Sequence, residues 1–251
     1  MAFERSFAGT GIGAEPGPNA SPADVSQGDA ATPAMRLQIL STEHWSLLAS
    51  RALAWNESFS RAGMFLTTLT GAIVALALVA QASAFGEGFT LFALVILPVV
   101  LFIGVATYLR LGSSNYHEAM CVVGMNRIRA AYLELAPDLE RYFVMSAHDD
   151  RPGMGVTMGV PPGGGAMWIA HLLAGTPTVV IVLNSVLAGV IAAVAVLRGG
   201  AAVSVTLGAG VLAFAVAVVL HALYARRNIT KTKFAPLFPT PPSRSRRPCA
   251  D

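Results

Sequence analysis

The one compact set of potential metal ligands in this 251-residue chain is His148-Asp149-Asp150. Consecutive residues in a Gly-rich stretch do not share a helix face, and no cysteine or further histidine stands nearby to complete a ligand set. The cluster therefore reads as a solvated loop, and no metal or other cofactor is expected. His44 and His117 fall on two helical segments among polar neighbours. Contacts between those helices could titrate near neutrality, but packing or a surface position accounts for both residues. His171 and His221 fall at the ends of apolar segments, where an amphipathic side chain reaches water. Asn184 is different, because it lies near the middle of an apolar segment with Ser185 beside it. Hydrocarbon offers its amide no partner, so it either lines a pore or joins helices, and an internal hydrogen bond is expected. Thr67, Thr68 and Thr70 can satisfy themselves on carbonyls four residues back. Asn184, Ser185, Thr67 and Thr70 are thus the polar set from which a pore or a helix-packing site would be built.

Absences narrow the chemistry further. None of the apolar segments contains Asp, Glu, Lys or Arg, whereas ion-coupled carriers place acidic groups inside the membrane. A secondary transporter is disfavoured. The chain has no phosphate-binding loop, no G-x-S-x-G elbow and no HExxH, so an enzyme is not expected. Cys121 and Cys249 lie far apart, on what the charge pattern makes the cytoplasmic side, and are expected as thiols.

The elements that must position these residues are set by hydropathy. The chain is 54% hydrophobic and 12% charged, against about 25% charged in soluble domains, and its mean hydropathy is +0.60. Ala62–Ala82 and Phe89–Leu109 are free of charge and each is long enough to cross a hydrocarbon core of about 30 Å. Pro98 is expected to kink the second. A further pair follows at Met167–Leu197 and Ala201–Tyr224, with small residues Ser185, Ala188 and Ala192 on one and Ala209, Ala213 and Ala217 on the other, spaced for close approach. The fold expected is all-α: a polytopic membrane protein with four transmembrane helices in two hairpins, the first prolonged by cytosolic amphipathic helices.

Those extensions show as periodicity. Trp45, Leu48, Ala52, Trp55 and Phe59 form one stripe before the first span. Cys121, Met125, Ile128, Tyr132, Leu135, Leu139 and Tyr142 form another, beginning near Ser113 beyond the second span, with a break expected near Ala136 and Pro137 opening a new short helix. Pairing the two stripes would bury both, with Trp45, Trp55, Met125, Ile128 and Tyr132 at the seam and Arg51 away from it. The expected order is a disordered tail over 1–33, the extended hairpin over 34–145, a Gly/Pro-rich linker over 146–166, the second hairpin over 167–224 and a basic, Pro-rich disordered tail over 225–251. No secretory signal precedes the first span, which is expected to serve as the insertion signal. With both termini inside, sixteen of seventeen Lys and Arg are cytoplasmic and only Arg198 is outside, as the positive-inside rule asks. A bacterial inner membrane is the expected location. Anionic lipid head groups are the expected partners of Arg226, Arg227, Lys231 and Lys233, with no nucleic acid, and with homo-oligomerisation or a protein partner on the cytosolic helices.

The segment LSTEHWSLLASRALAWNESFSRAGMFLTTLTGAIVALALVAQA, with GMNRIRAAYLELAPDLERYF after the second span, resembles an uncharacterised family of actinobacterial integral membrane proteins. The layout of residues 36–150 is also similar to SLATT-type two-span domains, proposed pore-forming effectors with helices flanking a membrane hairpin. The resemblance carries no site residue and does not account for the second pair of spans. The function expected is a homo-oligomeric pore-forming or membrane-perturbing assembly gated by its cytosolic helices; the alternative is a non-conducting membrane scaffold that recruits a cytosolic or membrane partner.

Overall fold

The computed structural model describes residues 31–160, 175–231 and 235–241, and among them all regular structure is helical. The N-terminal residues 1–30, the start of the third expected span with His171, part of the linker, and Cys249 lie outside the described residues. Helix α1 spans Pro33–Ser83 and α2 spans Glu87–Leu135. A short α3 covers Arg151–Thr157, α4 covers Thr176–Arg198 and α5 covers Val203–Lys231. Four of these helices, all but α3, are long and apolar enough to cross a membrane, which makes this a multi-pass membrane protein by length and composition.

Neither long helix is interrupted where span gives way to extension. The segment before Ala62 and the span after it are one helix, because no Gly or Pro separates them. Helix α2 runs through Pro98 and past Arg110 without a break. It ends where Ala136 leaves helical geometry and Pro137 starts a 3-10 turn to Tyr142. The connection between α1 and α2 is only Ala84–Gly86, and Ala84 and Phe85 both take positive φ (47° and 59°) to reverse the chain.

Antiparallel pairing of α1 and α2 follows from their cross-contacts. Glu57 meets Arg110, Arg51 meets Glu118, Leu47 packs at Gly124 and His44 stacks on Tyr132. Nearer the turn the seam is apolar, with Phe65, Leu69 and Ala72 of α1 against Ala93, Leu97 and Val100 of α2. Val180 and Leu187 bring α4 into the same core. Helix α5 leans on α4 where Gly189 and Gly210 face each other. A Cβ on Gly189 would come within 2.9 Å of the Gly210 carbonyl oxygen, the kind of close approach small residues permit between membrane helices. Ala209, Ala213 and Ala217 are half-buried on the inward face of α5. At the end carrying the two turns, Arg198 of α4 pairs with Glu87 of α2 at 3.2 Å.

Candidate functional site

The most heavily bonded polar site lies where sequence reasoning expected a solvated loop. Asp149 is 0% exposed. Its carboxylate accepts from the backbone N–H of Leu237 at 2.9 Å and of Phe238 at 2.8 Å, and from Arg127 Nε at 2.7 Å. The Asp149 N–H in turn donates to the Phe238 carbonyl at 3.2 Å. Asp150 takes the Thr240 N–H at 2.7 Å and the Thr240 hydroxyl at 2.8 Å, while capping α3 through the Gly153 N–H at 2.9 Å. The two aspartates therefore clamp a strap, 235–241, drawn from the segment expected to be a disordered tail. The solvated-loop reading fails because most of the donors to these carboxylates, on Leu237, Phe238 and Thr240, lie about ninety residues away in sequence. The linker is likewise partly helical, and the expected tail begins inside α5, which continues to Lys231.

Asn126 anchors the clamp to α2. It is 0% exposed, donates to the His148 carbonyl at 2.7 Å and accepts from Arg129 at 2.7 Å and Thr157 at 2.8 Å. A Cβ on Gly153 would collide with the His148 carbonyl, so only glycine lets α3 lie this close. Burial alone would raise the carboxyl of Asp149, but the Leu237 and Phe238 N–H groups and Arg127 outweigh it and hold it below the ordinary value. The same balance, with Gly153 and Thr240 as donors, holds Asp150 down. Burial, then the nearby Arg51, lowers the Arg129 guanidinium. Asn126, Arg127 and Arg129 were missed as site residues. One signal was available: Asp150 two residues before Pro152 is the signature of a helix N-terminus.

The seam between the extensions uses one expected face and one unexpected face. Met125 and Ile128 are buried, and Tyr132 stacks on His44 with ring centroids 6.0 Å apart. Trp45 is 69% and Trp55 48% exposed, so neither tryptophan forms the intrachain seam. The inner face of α1 is His44, Leu47, Arg51, Ala54 and Ser58, one residue off the expected stripe, or about 100° around the helix. Arg51 donates through Nε and Nη2 to Glu118 at 3.1 and 2.9 Å, so it stands in the seam. Leu47 reaches into the space left by Gly124, which a large ring would overfill. Burial first, then Arg129, lowers the His44 imidazole, and burial pushes the Cys121 thiol up. Glu57 is held down to about 2 by hydrogen bonds from Arg110 and then Arg61. His117 is exposed, its ring 3.7 Å from the Cys121 sulfur on its own helix.

The intramembrane polar set divides. Asn184 and Ser185 are both 0% exposed, whereas Thr67 and Thr70 face outward from α1. Ser185 bonds to the Ile181 carbonyl at 2.8 Å, and Thr70 to the Leu66 carbonyl at 2.9 Å. Asn184 Nδ2 reaches His221 Nε2 at 3.4 Å, and Tyr108 donates to the His221 carbonyl at 2.9 Å. His221, expected to reach for water, instead turns half-buried into the bundle and joins α2, α4 and α5. Asn184 Oδ1 has no hydrogen-bond partner among the described residues. It sits over Gly104, where any Cβ would collide with it.

Compared with known protein families, curated proteins and solved structures, the chain matches none.

Proposed function

We propose that the chain is a non-conducting inner-membrane scaffold, with both termini in the cytoplasm, that presents a paired-helix arm to a protein partner. The observation that carries this is the exposed apolar row on α1: Trp45, Leu48, Trp55 and Phe59. At 1.5 Å per residue, Trp55 stands about 10 Å beyond Ala62, near the head-group layer where tryptophan anchors spans. Trp45 stands about 25 Å out, beyond the reach of head groups. A large apolar side chain left exposed there suits a protein surface. The arm is stiffened by Arg51–Glu118 and Arg110–Glu57 across the seam, so the row is displayed on a rigid support. The charge distribution supports the orientation, since the basic residues flank the spans away from the turns and Arg198 is paired with Glu87. A cysteine at position 87 or 199 should react with an impermeant reagent on intact cells, and one at position 155 should not.

The pore reading, which the SLATT-like layout favours, rests on a different observation. Thr67 and Thr70 face out of the single chain, so they could line a lumen only between copies in a homo-oligomer. Asn184 and Ser185 are spent inside the bundle and would not line it. Single-channel recording from purified protein in planar bilayers decides the matter. The scaffold reading expects no unitary conductance and a fall in partner or self-association on Trp45→Asp. Reproducible conductance that changes with Thr70→Val would overturn it in favour of the pore.

A further inference from the structure

A cavity of about 610 Å³ lies where α2, α4 and α5 leave the apolar layer, walled by α3 and by Pro236 of the strap. Its inner wall is apolar and aromatic, with Tyr108, Tyr224, Met154 and Pro177. Tyr108 lies next to the end of one expected span and Tyr224 closes another, so the cavity straddles the level at which hydrocarbon gives way to head groups. Its polar groups are unequal. The Asp150 carboxylate also lies there, but both its oxygens are bonded to Gly153 and Thr240. Arg151, Asn115 and Tyr116 line the cavity too, and none of their side chains makes a hydrogen bond or ion pair among the described residues. Among the described residues the cavity therefore offers a guanidinium without a partner and two further side-chain donors, with no unspent anion, above an apolar floor. That is the complement of a phosphodiester carrying acyl chains.

We propose that this cavity binds one anionic phospholipid, the phosphate at Arg151 with Asn115 and Tyr116 in support, and the upper acyl carbons against Tyr108 and Tyr224. Its volume suits a glycerophosphate head group and the first carbons of the chains, the remainder lying in the bilayer. The inference rests on the membrane placement above and is independent of whether the chain conducts.

The full chain, purified in a non-ionic detergent, is mixed with dioleoyl phosphatidylglycerol or dioleoyl phosphatidylcholine and the retained lipid is read by native mass spectrometry. Wild type should retain one phosphatidylglycerol in preference to phosphatidylcholine. Arg151→Gln should reduce that preference about fivefold, the contribution of one interfacial arginine. Ala119→Trp, which fills the cavity, should abolish retention of both lipids. If its melting temperature falls, Ala119→Leu carries the same test with less bulk. Equal retention of the two lipids by wild type, or Arg151→Gln indistinguishable from wild type, overturns the head-group assignment. Retention undiminished in both Ala119 variants overturns the cavity. Full displacement of the lipid by soluble glycerol phosphate at matched concentration would show a site for a water-soluble anion and overturn the lipid. Flotation with liposomes separates the two levels. A chain that does not float refutes the membrane placement, and a chain that floats without lipid preference refutes only this site.

Discussion

Removing the Asp149 carboxylate should free the strap while leaving the bundle intact. In Asp149→Ala, Leu237 and Phe238 lose the acceptor of their N–H groups and Arg127 loses its 2.7 Å partner. Hydrogen bonds to a charged group contribute roughly 1.5–3 kcal/mol each. The two main-chain bonds alone therefore hold the strap by about 3 kcal/mol or more, a factor of about a hundred in its opening equilibrium. The Arg127 side chain is 35% exposed, so water compensates much of its share. Hydrogen exchange read by mass spectrometry on a peptide covering residues 235–241 is the direct assay. Exchange at Leu237 and Phe238 should accelerate about a hundredfold, with α4 unchanged. The pH dependence follows from the sign of the shift. The folded carboxyl lies below its ordinary value of 3.8, so its stabilisation is fully present above that value and is lost as the pH falls through the folded pKa. Strap protection should be flat from neutrality to about pH 5 and fall only under stronger acid. Unchanged exchange in Asp149→Ala would refute the clamp, and equal acceleration in α4 would show that Asp149 supports the bundle instead.

Three further outcomes are expected. Gly104→Ala forces a Cβ into Asn184 Oδ1 and to 2.7 Å from the Phe65 ring, and should cost about 1–3 kcal/mol in thermal unfolding in detergent; Gly71→Ala, with nothing within 4 Å, should cost nothing measurable. Arg51→Ala should loosen the arm by about 1 kcal/mol and raise exchange in both extensions, while Trp55→Asp leaves intrachain stability unchanged; the opposite ranking would restore the tryptophan face to the seam. Asn184→Leu should leave expression and insertion intact and lower stability by about 0.6 kcal/mol, the mean for hydrogen bonds between membrane helices, with no effect on ion flux.

Hydropathy and length alone settle the helical class and the presence of four candidate spans, because a bilayer demands about 20 apolar residues per crossing whatever they pack against. Local chemistry also marks the end of α2 before Pro137, where proline disfavours helical geometry at the preceding Ala136 and suits the first turn of a new helix. The face that α1 turns inward was not legible. Periodicity finds the most apolar stripe, but which stripe is buried is decided by what the facing helix offers. The seam went instead to Arg51, which finds Glu118, and to Leu47, which fits at Gly124. Tertiary structure alone decided the clamp and the Asn184–His221 contact. A carboxylate reads as solvated until its donors are known, and most of those of Asp149 and Asp150 reside on a strap far along the chain. Burial of such groups depends on long-range hydrogen bonding, which no local pattern of residues encodes.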